Sequence, residues 1–286
     1  MNHPYRLTIS CADRPGIIAD VSGFITGHGG NIIESHQYSD PNSGMFYMRY
    51  VIDPENLRMD AEGFNTLFVP IIERYAMNYK LTDTQRKTKV LLMVSKIDHC
   101  LKDLLYRWKS GELDFDIPCV ISNHPDLKEY VEWFGIPYYH IPVPKDDAGK
   151  EVAFNATSDV IDKYQPDTVV LARYMQILPP WMCAKYQHQV INIHHSFLPS
   201  FMGAKPYHQA LERGVKLIGA TCHYVTEDLD AGPIIDQDIA RVHHYHQVDD
   251  LIRLGKDVEK TVLSRGLRDH LEERVLVHNN KTIIFG

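Results

Sequence analysis

From Val90 onward the chain repeats one pattern, a short uninterrupted apolar run followed by a stretch with helical spacing, and this repetition leaves few folds open. Residues 90–94 form an apolar run of buried-strand type, and residues 100–109 place Leu101, Leu104, Leu105 and Trp108 on one side of a helix. Strands are expected at 117–122, 137–141 and 168–172, with helices at 127–134 and 152–164 between them. Alternation of this kind specifies an α/β domain with an open, mostly parallel, Rossmann-like sheet covered by helices, and ligands beyond the carboxyl ends of its strands. After Asp238 the pattern changes to a long amphipathic helix, 248 to about 271, and two short strand-like pieces at 274–277 and 282–285.

The first eighty residues follow a different rule. A strand at 7–10 meets the turn Asp13-Arg14-Pro15-Gly16, and a helix with proline near its first turn runs to about Gly27. Gly29-Gly30-Asn31 breaks that helix, and strands at 32–38 and 45–52 flank the turn Pro41-Asn42-Ser43-Gly44. A helix at 60–75 with Phe64, Leu67, Phe68, Ile71 and Ile72 on one side and a strand at 77–81 complete the order βαββαβ. This is a ferredoxin-like unit, an antiparallel four-stranded sheet with two helices on one face. The polar stretch 83–89 has no apolar periodicity, so domains are expected at 1–82 and 90–286 with 83–89 as linker.

Composition excludes several function classes. A formal charge of −7 offers no global attraction to nucleic acid. The five cysteines, Cys11, Cys100, Cys119, Cys183 and Cys222, are odd in number and lack any C-x-x-C pair, which argues against a disulfide framework or structural zinc. His243, His244 and His246 cluster without carboxylate or cysteine partners at ligand spacing, so no metal is expected. No signal-like start or membrane-length apolar run is present, and a cytoplasmic protein is expected. The first βα turn of the second domain, Ser95-Lys96-Ile97-Asp98-His99, has no glycine with which to approach a phosphate.

Asn192 and His194 close the apolar run 190–193, and on a strand their side chains share a face. Alone, the pair describes a polar strand end. Taken with the stretch 172–178 and with Asp230 ahead of Ala231-Gly232, it resembles the folate-dependent formyltransferase superfamily, whose site is an Asn-x-His followed some tens of residues later by Asp. Residues 5–81, with the Asp13-Arg14-Pro15-Gly16 turn and Gly30-Asn31-Ile32, resemble an ACT domain. The two together, with His194-His195-Ser196-Phe197-Leu198-Pro199, are most similar to the formyltetrahydrofolate deformylase family across essentially the whole chain.

That resemblance implies hydrolysis of 10-formyltetrahydrofolate to tetrahydrofolate and formate, supplying formate for purine synthesis, with folate as substrate and no tightly bound cofactor. Asn192 and His194 are expected to stabilise an oxyanion, and Asp230 to orient His194 and water and to relay protons. Arg173, Met175, Gln176, Ile177, Leu178, His223, Val225 and Asp228 are expected against the substrate. His223 lies on an apolar strand, which suits a core histidine as well as a contact to the reacting carbonyl. An effector, with glycine or methionine as candidates, is expected at Asp13, Arg14, Pro15, Gly16, Gly30 and Asn31, and a homo-oligomer is expected from the ACT resemblance.

Formyl transfer to an amine of the glycinamide ribonucleotide type, and a non-catalytic folate-binding regulator, are the alternatives. The glycine-free turn at 95–99 favours water as nucleophile, and the intact Asn192, His194 and Asp230 favour an enzyme. His195 stands where many relatives carry proline, and strand alternation would turn its ring to the face opposite His194. Lys205 and His208 fall on a stretch that borders the nucleophile's approach in relatives, and either could equally be a solvated loop residue.

Overall fold

The computed structural model describes residues 3–199 and 206–286. It divides into two compact units: Met1–Lys87 with Glu272–His278 and Ile283–Gly286, and Thr88–Leu271 with Asn279–Thr282.

In the first unit, β1 (Tyr5–Ala12), α1 (Ile17–Gly27), β2 (Asn31–Asp40), β3 (Met45–Asp53), α2 (Ala61–Tyr75) and β4 (Asn78–Asp83) follow the expected βαββαβ order. The sheet runs β2-β3-β1-β4, and the pairings are antiparallel. Alternation decides which side chains meet the helices: Tyr5, Leu7, Ile9 and Cys11 of β1 and Phe46, Met48, Tyr50 and Ile52 of β3 enter one core with Ile17, Val21, Phe64 and Phe68. Asp60 caps α2 by accepting from the backbone N–H of Gly63 at 2.8 Å. The side chains on the other face of β3 are buried as well. Arg49 is 2% exposed, donating to Glu34 at 2.8 Å and, from Nε and Nη2, to the backbone carbonyl of Glu272 at 3.1 and 2.9 Å. Thr82 donates to Glu273 at 2.6 Å. These bonds explain why 272–278 groups with the first unit and not, as the sequence boundary has it, with 90–286.

In the second unit, β5 (Val90–Val94), β6 (Val120–Ser122), β7 (Tyr138–His140), β8 (Thr168–Leu171) and β9 (Val190–His194) pair in parallel, and β10 (Leu217–Tyr224) and β11 (Ile234–Arg241) extend the sheet antiparallel, in the order β11-β10-β9-β8-β5-β6-β7. The helices are α3 (His99–Ser110), α4 (Lys128–Glu132), α5 (Asp147–Tyr164), α6 (Pro180–Lys185), α7 (Pro206–Glu212) and α8 (Val248–Leu271). Helix α5 begins five residues before the apolar periodicity does, because Asp146 caps it by accepting from Gly149 N–H at 2.8 Å. Strands β12 (Val275–His278) and β13 (Lys281–Ile284) pair with each other.

Helix α8 carries the one carboxylate buried most deeply, Glu259, 1% exposed. It accepts from Tyr207 Oη at 2.7 Å and His99 Nε2 at 2.8 Å, and lies 3.4 Å from Arg173 Nε. The Arg173 contact lacks hydrogen-bond alignment, so it acts as charge attraction. Gly255 makes the Tyr207 approach possible, since a Cβ there would lie 2.0 Å from Tyr207 Oη. Burial alone would raise the Glu259 pKa, but His99 and Arg173 overcome it and hold the carboxyl below its ordinary value.

Two outcomes follow from these buried charges. Arg49→Met, which removes the donors from the Glu272 carbonyl, is expected to lower the urea midpoint of unfolding by an amount equivalent to about 1–3 kcal/mol. A depressed carboxyl pKa adds stability above the unfolded-state value, and that stability is lost as pH falls through the folded-state value. Glu259→Gln is therefore expected to cost about 3–5 kcal/mol at pH 7, because Arg173 keeps its buried charge, and less in acid; denaturation at pH 7 and pH 4 measures both.

Candidate active site

Strand β9 delivers Asn192 and His194 to the carboxyl edge of the parallel strands, and the antiparallel pairing of β10 adds a third side chain. The register sets Asn192 opposite His223 and His194 opposite Thr221. Cross-strand neighbours of this kind stand close enough to touch, and the Asn192 amide nitrogen lies 3.1 Å from His223 Nε2. His223 Nδ1 is 2.9 Å from the carbonyl of Tyr224, so it carries the proton and leaves Nε2 to accept from Asn192 when the ring is neutral. His223 thus stands beside Asn192 on a cavity wall.

Asp230 reaches the same point from the loop between β10 and β11. Its Oδ2 is 3.2 Å from His194 Nδ1 and its Oδ1 is 3.7 Å from His223 Nε2. The residue adopts φ +53°, and Gly232 two positions on passes so near β10 that a Cβ would lie 1.8 Å from the Tyr224 carbonyl oxygen. Burial by itself pushes the Asp230 carboxyl up, but the neighbouring His194 and His223 rings outweigh it and carry the group well below the usual carboxylate range. Asp230 is therefore ionised at neutral pH. His194 Nε2 is buried and has no hydrogen-bond partner among the described residues, the mark of a polar atom reserved for a ligand.

These groups line one cavity of about 430 Å³ whose wall also includes the 173–178 segment. That size suits a small-molecule ligand. Of the residues singled out in the sequence, Arg173, Met175, Gln176, Ile177, Leu178, His223 and Val225 line this wall. Met175 and Ile177 are 51% and 68% exposed, apolar surface available to cover a ring system. The first βα turn supports this segment: Ser95 Oγ accepts from Met175 N–H at 2.9 Å and donates to Asn123 at 2.6 Å, and Ser95 N–H donates to the Arg173 carbonyl at 3.2 Å.

Some expectations are corrected. Asp228 is exposed and off the wall; its carbonyl accepts from Thr226 Oγ at 3.1 Å and Ala231 N–H at 3.3 Å, which closes the turn and leaves Glu227 and Leu229 to line the cavity. His195 is on the wall, because β9 ends at His194 and strand alternation no longer governs the next residue. Its ring centroid is 5.1 Å from that of His194. His208 is exposed on α7 and away from the wall, and Lys205 lies outside the described residues. In the first unit, Asp13, Arg14, Pro15 and Gly16 form an exposed turn at the start of α1, while Gly30 and Asn31 follow its end. Eleven helical residues separate the two groups, about 16 Å at 1.5 Å per residue. Gly30 is packed, since a Cβ there would lie 2.8 Å from Ile25 and 3.0 Å from Leu57 side-chain carbons.

Sequence reasoning did not single out Glu259, Tyr207 or His99. Only the glycine at Gly255 hinted at a close approach on that face of α8. Among the described residues, His99, Cys100 and Glu259 bring potential ligand atoms within 4.8 Å of one another. The Glu259 oxygens are already engaged by Tyr207, His99 and Arg173, and burial pushes the Cys100 thiol far above its ordinary pKa, so the set fits an internal hydrogen-bond network better than a cation. No described helix is long and apolar enough to cross a membrane.

Residues 88–267 match the formyl transferase family, and residues 5–58 match the ACT domain. The chain is 46% identical to a formyltetrahydrofolate deformylase from Bacillus subtilis (strain 168), over 98% of this chain and 93% of that one. Its fold superposes on the crystal structure of a formyltetrahydrofolate deformylase from Pseudomonas syringae pv. tomato with a TM-score of 0.98 at 58% identity, covering 100% of this chain and 95% of that one. A glycinamide ribonucleotide transformylase from Symbiobacterium toebii covers only 70% of the chain, with 95% of its own length aligned, at 27% identity and a TM-score of 0.65. With both domains matched and the alignment to these relatives nearly end to end, the chain belongs to the formyltetrahydrofolate deformylase family.

Proposed function

We propose that this chain hydrolyses 10-formyltetrahydrofolate to tetrahydrofolate and formate, with Asn192, His194 and Asp230 as the catalytic residues. The observation that carries the reading is the buried, unpartnered Nε2 of His194 at the cavity wall, on a ring whose other nitrogen is held by an ionised Asp230. A hydrogen bond from Nδ1 to a carboxylate fixes the ring's orientation and stabilises its cationic form, so that Nε2–H becomes a donor to developing negative charge. Asn192 has a second amide hydrogen beyond the one directed at His223. Together the two donors suit the oxygen of a formyl group under attack.

Water forms a bond to the formyl carbon, and the carbonyl oxygen becomes an oxyanion held by Asn192 and His194. Asp230 accepts a hydrogen bond from the attacking water and takes its proton as the bond forms. A carboxylate held at low pKa keeps that proton only briefly, and it passes to the folate nitrogen as the carbon–nitrogen bond breaks. Formic acid leaves and releases its proton to solvent. The folate ring system lies against 173–178, with Met175 and Ile177 as apolar cover.

Residues 1–82 serve as a sensing domain, with the exposed turn 13–16 as the part that meets an effector and glycine or methionine as the ligand, and the chain works as a homo-oligomer. Five free, buried cysteines suit a reducing cytoplasm.

Purified protein given 10-formyltetrahydrofolate with no amine acceptor is expected to release stoichiometric formate; no formate sinks the hydrolytic reading. Asp230→Asn should fold normally by circular dichroism and lose turnover about a hundredfold or more, and wild-type turnover in that variant rejects the proton-relay role. Adding glycine or methionine to the formate assay should change the rate, and a flat response to both rejects them as effectors.

A further inference from the structure

His195 is a histidine on the cavity wall to which the mechanism above assigns no part. Its centroid is 5.1 Å from His194 and 6.1 Å from Tyr207, whose hydroxyl is anchored on Glu259. Its contacts with other rings are these two, and among the described residues neither of its nitrogens has a hydrogen-bond partner. The turn that carries it is pinned at one point: Thr221 Oγ donates to the Ser196 carbonyl at 2.9 Å and accepts from Leu198 N–H at 3.0 Å and Gln237 Nε2 at 2.9 Å. A ring on the cavity wall, carried by a pinned turn and with neither nitrogen engaged, is placed to hold something small.

We propose that His195 holds the attacking water beside His194 and, by filling that side of the cavity, makes water the nucleophile in preference to amines. Burial, reinforced by Arg173 and His194, lowers the His195 pKa to about 4, so at neutral pH the ring is uncharged and offers one lone pair. That lone pair accepts one hydrogen bond from water and leaves an oxygen lone pair free to meet the formyl carbon. An amine needs room for the substituent behind its nitrogen, and the His195 ring, on the wall beside His194 and backed by a tilted contact with Tyr207, whose hydroxyl bonds Glu259, occupies space there. The step is the one already written: the water oxygen bonds to carbon, the carbon–nitrogen bond breaks, and a water proton travels through Asp230 to the folate nitrogen. His195 keeps no proton at the end.

This inference rests on the hydrolytic reading, which wild-type formate release tests independently. Full-length wild type and the variants His195→Phe, His195→Ala and His195→Gln are assayed with 10-formyltetrahydrofolate, with and without hydroxylamine as a small amine probe. Formate and formohydroxamate are measured against an enzyme-free control. His195→Phe keeps volume without a lone pair and should lower kcat about tenfold, the worth of one hydrogen bond. KM for the folate should stay within about twofold, since folate contacts are untouched. His195→Gln should restore most of the rate, and His195→Ala should yield formohydroxamate that wild type does not make. Unchanged kcat in His195→Phe, a KM rise in step with the rate loss, a Gln variant as slow as Ala, or no formohydroxamate from Ala each overturns the proposal. Should the Phe variant fail to fold by thermal melt, the comparison of Gln with Ala decides it.

Discussion

The antiparallel pairing of β10 on β9 is the constraint on which the site depends. Parallel strands alone would deliver Asn192 and His194 to an edge facing solvent. Reversing the next strand places His223 directly across from Asn192 and starts the 225–230 loop at the same edge, so that Asp230 returns to both histidines. Gly232 is what lets that loop turn back against Tyr224 without collision. One residue of register slip would turn His223 to the other face of the sheet and break the arrangement.

Charge is arranged in the second unit by surrounding each buried carboxylate with donors and cations. Asp230 is held ionised by His194 and His223, and Glu259 by His99, Tyr207 and Arg173. His195 feels both anions, yet burial, reinforced by Arg173, lowers its pKa to about 4. The first unit uses one buried cation differently: Arg49 gives three hydrogen bonds, two to a backbone carbonyl, and makes a sheet face that is usually solvated into a buried one.

The sequence by itself determined the order of elements, since apolar periodicity of 2 and 3.6 is set by local backbone geometry, and β1 to β5, α1 and α8 lie within a few residues of where that periodicity places them. It also determined Asn192 and His194 as a same-face pair, and the motif order that pointed to Asp230. What it left to tertiary structure was every relation set by register or by packing across distance: the pairing of His223 with Asn192, the place of His195 on the cavity wall where the strand ends, and the exclusion of Asp228 from the wall. The Glu259 network belongs there too, because its hydrogen-bond partners Tyr207 and His99 are 52 and 160 residues away in the chain and no local pattern records a buried carboxylate's partners. Periodicity fixes which face a residue takes within its own element, whereas which neighbour that face meets is decided only when the elements pack.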